Sequence, residues 1–127
     1  MRPIPPPELK PLDWIGPSRD EIRAFPDAVQ DAVGHALLLA QAGEKSNIAK
    51  PLKGFGGAGV LEVVENHDGD TYRAVYTVKF AGVVYVLHCF QKKSKRGRET
   101  PNATVELIRR RLRQAEAEYE IRRRMEP

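Results

Sequence analysis

The sequence predicts an α+β protein: a small, mostly antiparallel sheet with an α-helical hairpin on one face and a C-terminal helix, in the order β-α-α-β-β-β-α. Three observations carry that expectation. Apolar residues recur at helical spacing in two stretches, residues 29–40 and 105–119. Three runs rich in valine and tyrosine follow one another between residues 60 and 91. Between the first two of those runs stands Asp68-Gly69, the dipeptide a tight hairpin favours.

The elements follow in order. Residues 1–11 hold five prolines (3, 5, 6, 7 and 11) and read as an extended arm with polyproline character, leaving residues 12–127 as a single domain. "PLDWIG" reads as a short strand that offers Trp14 and Ile15 to a core. "SRDE" at 18–21 has the spacing of a capping box, so a short helix is expected from Ser18 to about Phe25. Pro26 ends that helix and starts the next. The second helix carries Val29, Val33, Ala36, Leu37 and Ala40 as one stripe, and Gly43 stops it. "EKSNIAKPLKGFGGAG" reads as a flexible connector; its glycines lack the Gly-Lys-Ser/Thr ending of a phosphate loop. The strands "VLEVVEN", "TYRAVYTVKF" and "VVYVLHCFQ" then form a meander. A final helix spans "TPNATVELIRRRLRQAEAEYEIRRR", with Val105, Ile108, Leu112, Ala115 and Tyr119 on one side and arginines on the other. With the helices packed on one face of the sheet, the second face is expected to meet water or a partner.

Composition bounds the function. A single cysteine, Cys89, excludes an internal disulfide and a multi-cysteine zinc site. His35, His67 and His88 fall on three different elements with no ligand spacing, so neither a metal nor another cofactor is expected. "MRPIPPPELKP" lacks the apolar core of a secretory signal, and no apolar run nears the roughly 18 residues of a membrane span. A cytoplasmic protein with no membrane contact is the expectation. Charge is uneven: Lys92 to Pro127 hold 12 Lys and Arg against 6 Asp and Glu, whereas the preceding residues hold 9 against 11. A polyanion partner would meet the last third of the chain.

Strand alternation locates a candidate site. Tyr72, Ala74, Tyr76, Val78 and Phe80 share one face of the middle strand; Arg73, Val75 and Thr77 share the other, which puts Arg73 on the open side. In the last strand Val84, Val86, His88, Phe90 and Lys92 alternate with Tyr85, Leu87, Cys89, Gln91 and Lys93. His88, Phe90, Lys92 and Lys93 thus gather at one strand end, beside Arg73. Arg73, Lys92 and Lys93 suit phosphates, and Phe90 suits a stacked base. His88 or Glu62 could move protons. Lys53, and Lys95 and Arg96 of the "KKSKRGR" cluster, are further candidate RNA contacts. Because RNA supplies its own nucleophile, the 2′-hydroxyl, such a site needs no metal. Cys89 and His88 are adjacent and point to opposite faces, a poor arrangement for a cysteine nucleophile.

"AKPLKGFGGAGVLEVVE", "DTYRAVY" and "VYVLHCFQKKS" together resemble the RelE/ParE toxin superfamily, and most of all its HigB-like, phage-derived subgroup, over about residues 10–115. The resemblance implies the same element order and the toxin of a type II toxin–antitoxin pair. It implies an mRNA endonuclease (mRNA interferase) that enters the ribosomal A site and cuts by 2′-hydroxyl attack, leaving a cyclic phosphate. Arg73 matches the arginine that contacts the scissile phosphate, and Lys92 and Lys93 fall where relatives keep basic residues. Glu62 and Val64 stand where RelE carries lysines, which makes Glu62 or His88 the candidate base. Tyr119 lies too far along to replace RelE's C-terminal tyrosine. The resemblance further implies a cognate antitoxin, commonly a helix-turn-helix protein, with operator DNA reached only through the complex. A ParE-like gyrase poison shares this fold, as does an inactive relative that only binds its antitoxin. The convergence of Arg73, His88, Lys92 and Lys93 favours RNA cleavage, because a gyrase poison has no need of it.

Overall fold

The structure is a computed structural model that describes residues 8–57, 59–92 and 100–126. Most of the proline-rich arm, with Lys93, Lys95 and Arg96, lies outside the described residues. The chain runs β1 (Leu12–Trp14), α1 (Ser18–Arg23), α2 (Asp27–Gln41), β2 (Ala49–Pro51), β3 (Val60–His67), β4 (Asp70–Thr77), β5 (Val84–Lys92) and α3 (Asn102–Met125). One sheet holds all the strands in the order β1-β5-β4-β3-β2, with β1 parallel to β5 and the other pairs antiparallel. The expected order holds, with one addition. Three residues of the stretch read as a connector, Ala49–Pro51, pair with β3 as an edge strand.

Local chemistry explains most boundaries. Asp68 and Gly69 both take positive φ, 49° and 82°, as the two-residue turn between β3 and β4 requires. Pro26 precedes α2, where its missing N–H costs no hydrogen bond. Gly43 closes α2 with φ 84°, its N–H donating to the Ala40 carbonyl. The capping box does not form. Pro17 precedes α1 without a side-chain cap, the Ser18 hydroxyl donates to the Val86 carbonyl, and Glu21 is turned toward β5. Both side chains serve the edge of the sheet instead of their own helix.

The helices do not share a face of the sheet. Val29, Val33, Ala36, Leu37 and Ala40 of α2 pack with Val63, Tyr72, Ala74, Tyr76, Val84, Val86 and Cys89. On the opposite face Ile108 and Ala115 of α3 pack with Val60, Val75, Tyr85 and Leu87, and Val105, Leu112 and Tyr119 close over them. The face expected to be open carries enough apolar surface to bury α3, and α3 has one stripe that must be buried. The result is a three-layer arrangement with two cores.

The alternation expected for β5 also fails, at one point. Opposite β4, Tyr76 pairs with Val86 and Val75 with His88, so Leu87 is an extra residue in a β-bulge. Val84, Val86 and Cys89 therefore face α2, while Tyr85, Leu87 and Phe90 face α3. His88 joins the α3 side opposite Val75. Without the bulge, His88 would share the face of Val86 and be remote from Arg73.

α3 is thus half of a core. Ile108→Ala should lower stability by about 3 kcal/mol through the cavity it leaves. Ile121→Ala, at a residue 59% exposed on the same helix, should change it by less than about 0.5 kcal/mol. Urea denaturation of both variants checks this.

Candidate functional site

The α3 face of the sheet gathers the candidate residues by register. Arg73 lies opposite Phe90, Thr71 opposite Lys92, Val75 opposite both Glu62 and His88, and Lys50 opposite Glu62. Side chains of opposed residues share a face. Arg73 is not on an open surface, however. It is 5% exposed, as is Glu62, and its Nη1 donates to Glu62 Oε2 at 2.8 Å. Two charges removed from water this thoroughly must be paired, and here each is the other's partner. Lys50 Nζ stands 3.9 Å from Glu62 Oε1, so the carboxylate lies between a buried guanidinium and an exposed ammonium.

Glu62 and Lys50 also line a cavity of about 500 Å³ between β2, the loop that follows it and the start of α3. Lys53, Thr100, Asn102 and Arg109 are among its other walls. Arg109 is fixed there: its Nη2 donates to the Gly54 carbonyl at 2.6 Å, and its guanidinium lies 4.7 Å from the Phe55 ring centroid. Gly54 adopts φ 97°, which only glycine takes without strain, and this turns its carbonyl to the arginine. The stretch read as a connector is a built wall.

His88 lies in a different constellation. It is 9% exposed, stacked on Phe90 with ring centroids 4.8 Å apart. Its Nδ1 is 2.9 Å from Glu21 Oε1 and 2.8 Å from Arg111 Nη1. Arg111 also donates to Glu21 Oε1 and to the Leu87 carbonyl, both at 2.9 Å. Glu21 accepts the Cys89 N–H as well, at 3.1 Å, on the edge of β5 that β1 leaves uncovered. Burial raises the Glu21 carboxyl, but the bonds from Arg111, His88 and Cys89 outweigh it and hold the group below its ordinary value. Burial lowers His88, with Arg111 adding to the effect against the pull of Glu21. Burial and the Glu21 charge push the Cys89 thiol up to about 12, so it is no nucleophile at neutral pH.

The structure therefore splits the expected group in two. Glu62 and Arg73 sit together at the cavity wall, and Lys53 lines the same cavity. His88 and part of Phe90 are packed with Glu21 and Arg111; Lys92 is partly exposed two pairs beyond Phe90 along β5. Lys93, Lys95 and Arg96 lie outside the described residues. Lys50, Arg109, Glu21 and Arg111 were not singled out from the sequence. Arg111 had a legible signal, for it falls three residues after Ile108 and four before Ala115, on the buried stripe. Among the described residues no group of His, Cys, Asp or Glu is arranged to hold a metal ion, and no helix is long and apolar enough to cross a membrane.

The sequence pattern of the family described as "Phage derived protein Gp49-like (DUF891)" matches residues 20–113, a span that includes Glu21, Lys50, Glu62, Arg73, Arg109 and Arg111. The chain belongs to that family. Membership puts it among the RelE-superfamily toxins, as the three quoted stretches implied. Among solved structures, the RelBE2 toxin–antitoxin complex of Mycobacterium tuberculosis is similar, with 18% identity and a TM-score of 0.46 over 66% of this chain and 99% of that one. That likeness is too remote to bear on individual residues. No curated protein matches.

The enclosed histidine has a measurable consequence. Its folded value lies below the ordinary 6.5, so the unfolded chain takes up the proton first. Stability from this group is full above pH 6.5 and falls as pH drops through the window beneath it. Glu21, also lowered, extends the loss further into acid. Urea midpoints at about pH 7.5 and about pH 5.5 should show the decline in the wild type, and His88→Gln should reduce it.

Proposed function

We propose that this chain is the toxin of a type II toxin–antitoxin pair and that it cleaves mRNA in the ribosomal A site. Family membership and the resemblance of "DTYRAVY" and "VYVLHCFQKKS" to RelE-type toxins support the first part. The observation that carries the second is the Glu62–Arg73 pair at the wall of a cavity with cationic sides. A carboxylate in that position has an arginine to hold it in place and space beside it for a nucleotide. Of the two candidate bases, Glu62 lines this cavity, whereas His88 Nδ1 is engaged by Glu21 and Arg111.

In this reading Glu62 takes the proton of a ribose 2′-hydroxyl. The 2′-oxygen forms a bond to phosphorus, and the bond from phosphorus to the 5′-oxygen breaks. The products are a 2′,3′-cyclic phosphate and a 5′-hydroxyl, whose proton comes from water or a lysine ammonium. Lys92 and Lys93 stabilise the charge on the phosphate. Arg73 is a positioning residue while it is bound to Glu62; direct contact with phosphate requires that pair to open. The partner that silences the toxin is an antitoxin, commonly of helix-turn-helix type in such pairs, and operator DNA is met only through their complex.

Primer extension on a defined mRNA tests this. The wild type should cut in A-site codons only when ribosomes are present. Glu62→Gln, with its fold verified by circular dichroism and melting, should reduce cutting by about 10²- to 10⁴-fold, the usual range for loss of a general base. Intact mRNA in the presence of ribosomes would overturn the proposal.

A further inference from the structure

The cavity beside Glu62 has more binding chemistry than one cut phosphodiester needs. We propose that it is a second phosphate subsite, which holds a neighbouring phosphodiester of a single-stranded RNA. The inference rests on the RNA reading above and deepens it.

The walls come from separate elements. Lys50 projects from β2, Lys53 from the loop after it, and Arg109 from α3. Two carboxylates, Glu62 and Glu106, also line the space, and each is engaged: Glu62 by Arg73, and Glu106 by Arg109 at 3.6 Å. The cations outnumber them even before Arg73 is counted. Arg109 is held by Gly54 and Phe55 yet spends only part of its fork of donors on them, so it is positioned before a ligand arrives. The first turn of α3, beginning at Asn102 in the cavity wall, has no side-chain cap and no acidic residue. Its amide groups carry the positive end of a 24-residue helix. The Thr100 hydroxyl, in the same wall, is buried with no hydrogen-bond partner among the described residues.

The chemistry also selects the class of anion. A phosphodiester carries one negative charge, a free phosphate nearly two at neutral pH. With Glu62 in the wall, the singly charged diester is repelled less. Distance fits as well. Three strand spacings of about 4.8 Å separate β2 from β5, and Lys92 lies four residues along β5 from the row of Lys50, Glu62 and His88, so the cavity and Lys92 are about 19 Å apart along the sheet. Single-strand-binding folds engage about 4–16 nucleotides, and one strand can occupy both places.

The test is fluorescence anisotropy of a labelled single-stranded RNA of about ten nucleotides, titrated with the full-length protein over a range of salt. Lys50→Gln and Arg109→Gln should each weaken binding several-fold and each reduce the slope of log K against log salt by about 0.7, the value of one phosphate contact on a single strand. Arg123→Gln, an exposed α3 residue paired with Glu120, should change neither. The slope separates a phosphate contact from a structural effect, and Lys50 is exposed, so its loss leaves the cores intact. Wild-type affinity and slope in both variants would overturn the subsite, as would no RNA binding by the wild type at low salt. Displacement of RNA by millimolar inorganic phosphate would overturn the diester class. The two readings fail separately. Binding that depends on Lys50 and Arg109 without ribosomal cleavage leaves the subsite and removes the nuclease. Cleavage with binding indifferent to both residues does the reverse.

Discussion

One guanidinium holds the two halves of this protein together. The bulge in β5 leaves Leu87 without a partner in the β4–β5 register, and its carbonyl would be an unmet acceptor inside the protein. Arg111 of α3 supplies the donor. The same group binds Glu21, which in turn accepts the Cys89 N–H beyond the end of β1. Three elements distant in sequence are thereby fixed at one place: α1, β5 and α3. The position of α3 follows, and with it the second core. Because α3 starts at the rim of the cavity, that site too depends on where Arg111 anchors the helix.

The buried charges divide structural from chemical work. Around Arg111 the guanidinium donates to the Glu21 carboxylate and the Leu87 carbonyl, the Cys89 N–H donates to the same carboxylate, and His88 lies buried beside them. Around Glu62 the balance is different. Arg73 satisfies one carboxylate oxygen from within the protein, while the other faces Lys50 and the cavity. Breaking either cluster by removing one partner costs about 3–5 kcal/mol where burial is complete. Such a cost makes the Glu62–Arg73 pair a rigid place from which to present a carboxylate.

Much of the fold was legible because its signals are local. The stripe of α2 and the Asp68-Gly69 turn involve residues within a few positions of each other, and both form as the spacing implies. The features that were missed depend on contacts far along the chain. Ser18 and Glu21 have capping-box spacing, yet their partners, Val86 and Cys89, lie 68 residues away. A bulge leaves no mark in a run of alternating apolar residues such as 83–90, since both faces of β5 are buried. The burial of Arg73 could not be read either: alternation assigns a face, but whether a helix covers that face is a tertiary question. Lys50 and Arg109 converge only because β2 pairs with β3 and α3 starts above them. The apolar stripe of α3 did contain its own clue in Arg111, a charge at a buried spacing.

In the proposed function RNA is held on the α3 side of the sheet, in the groove whose walls are β2, the following loop and the start of α3. Hydrogen–deuterium exchange with and without a short single-stranded RNA addresses it most directly. Protection gained across residues 50–57 and the first turns of α3, with the outer face of α2 unchanged, is the predicted result. Protection confined to α2, with the groove exchanging as it does in the free protein, would contradict the account.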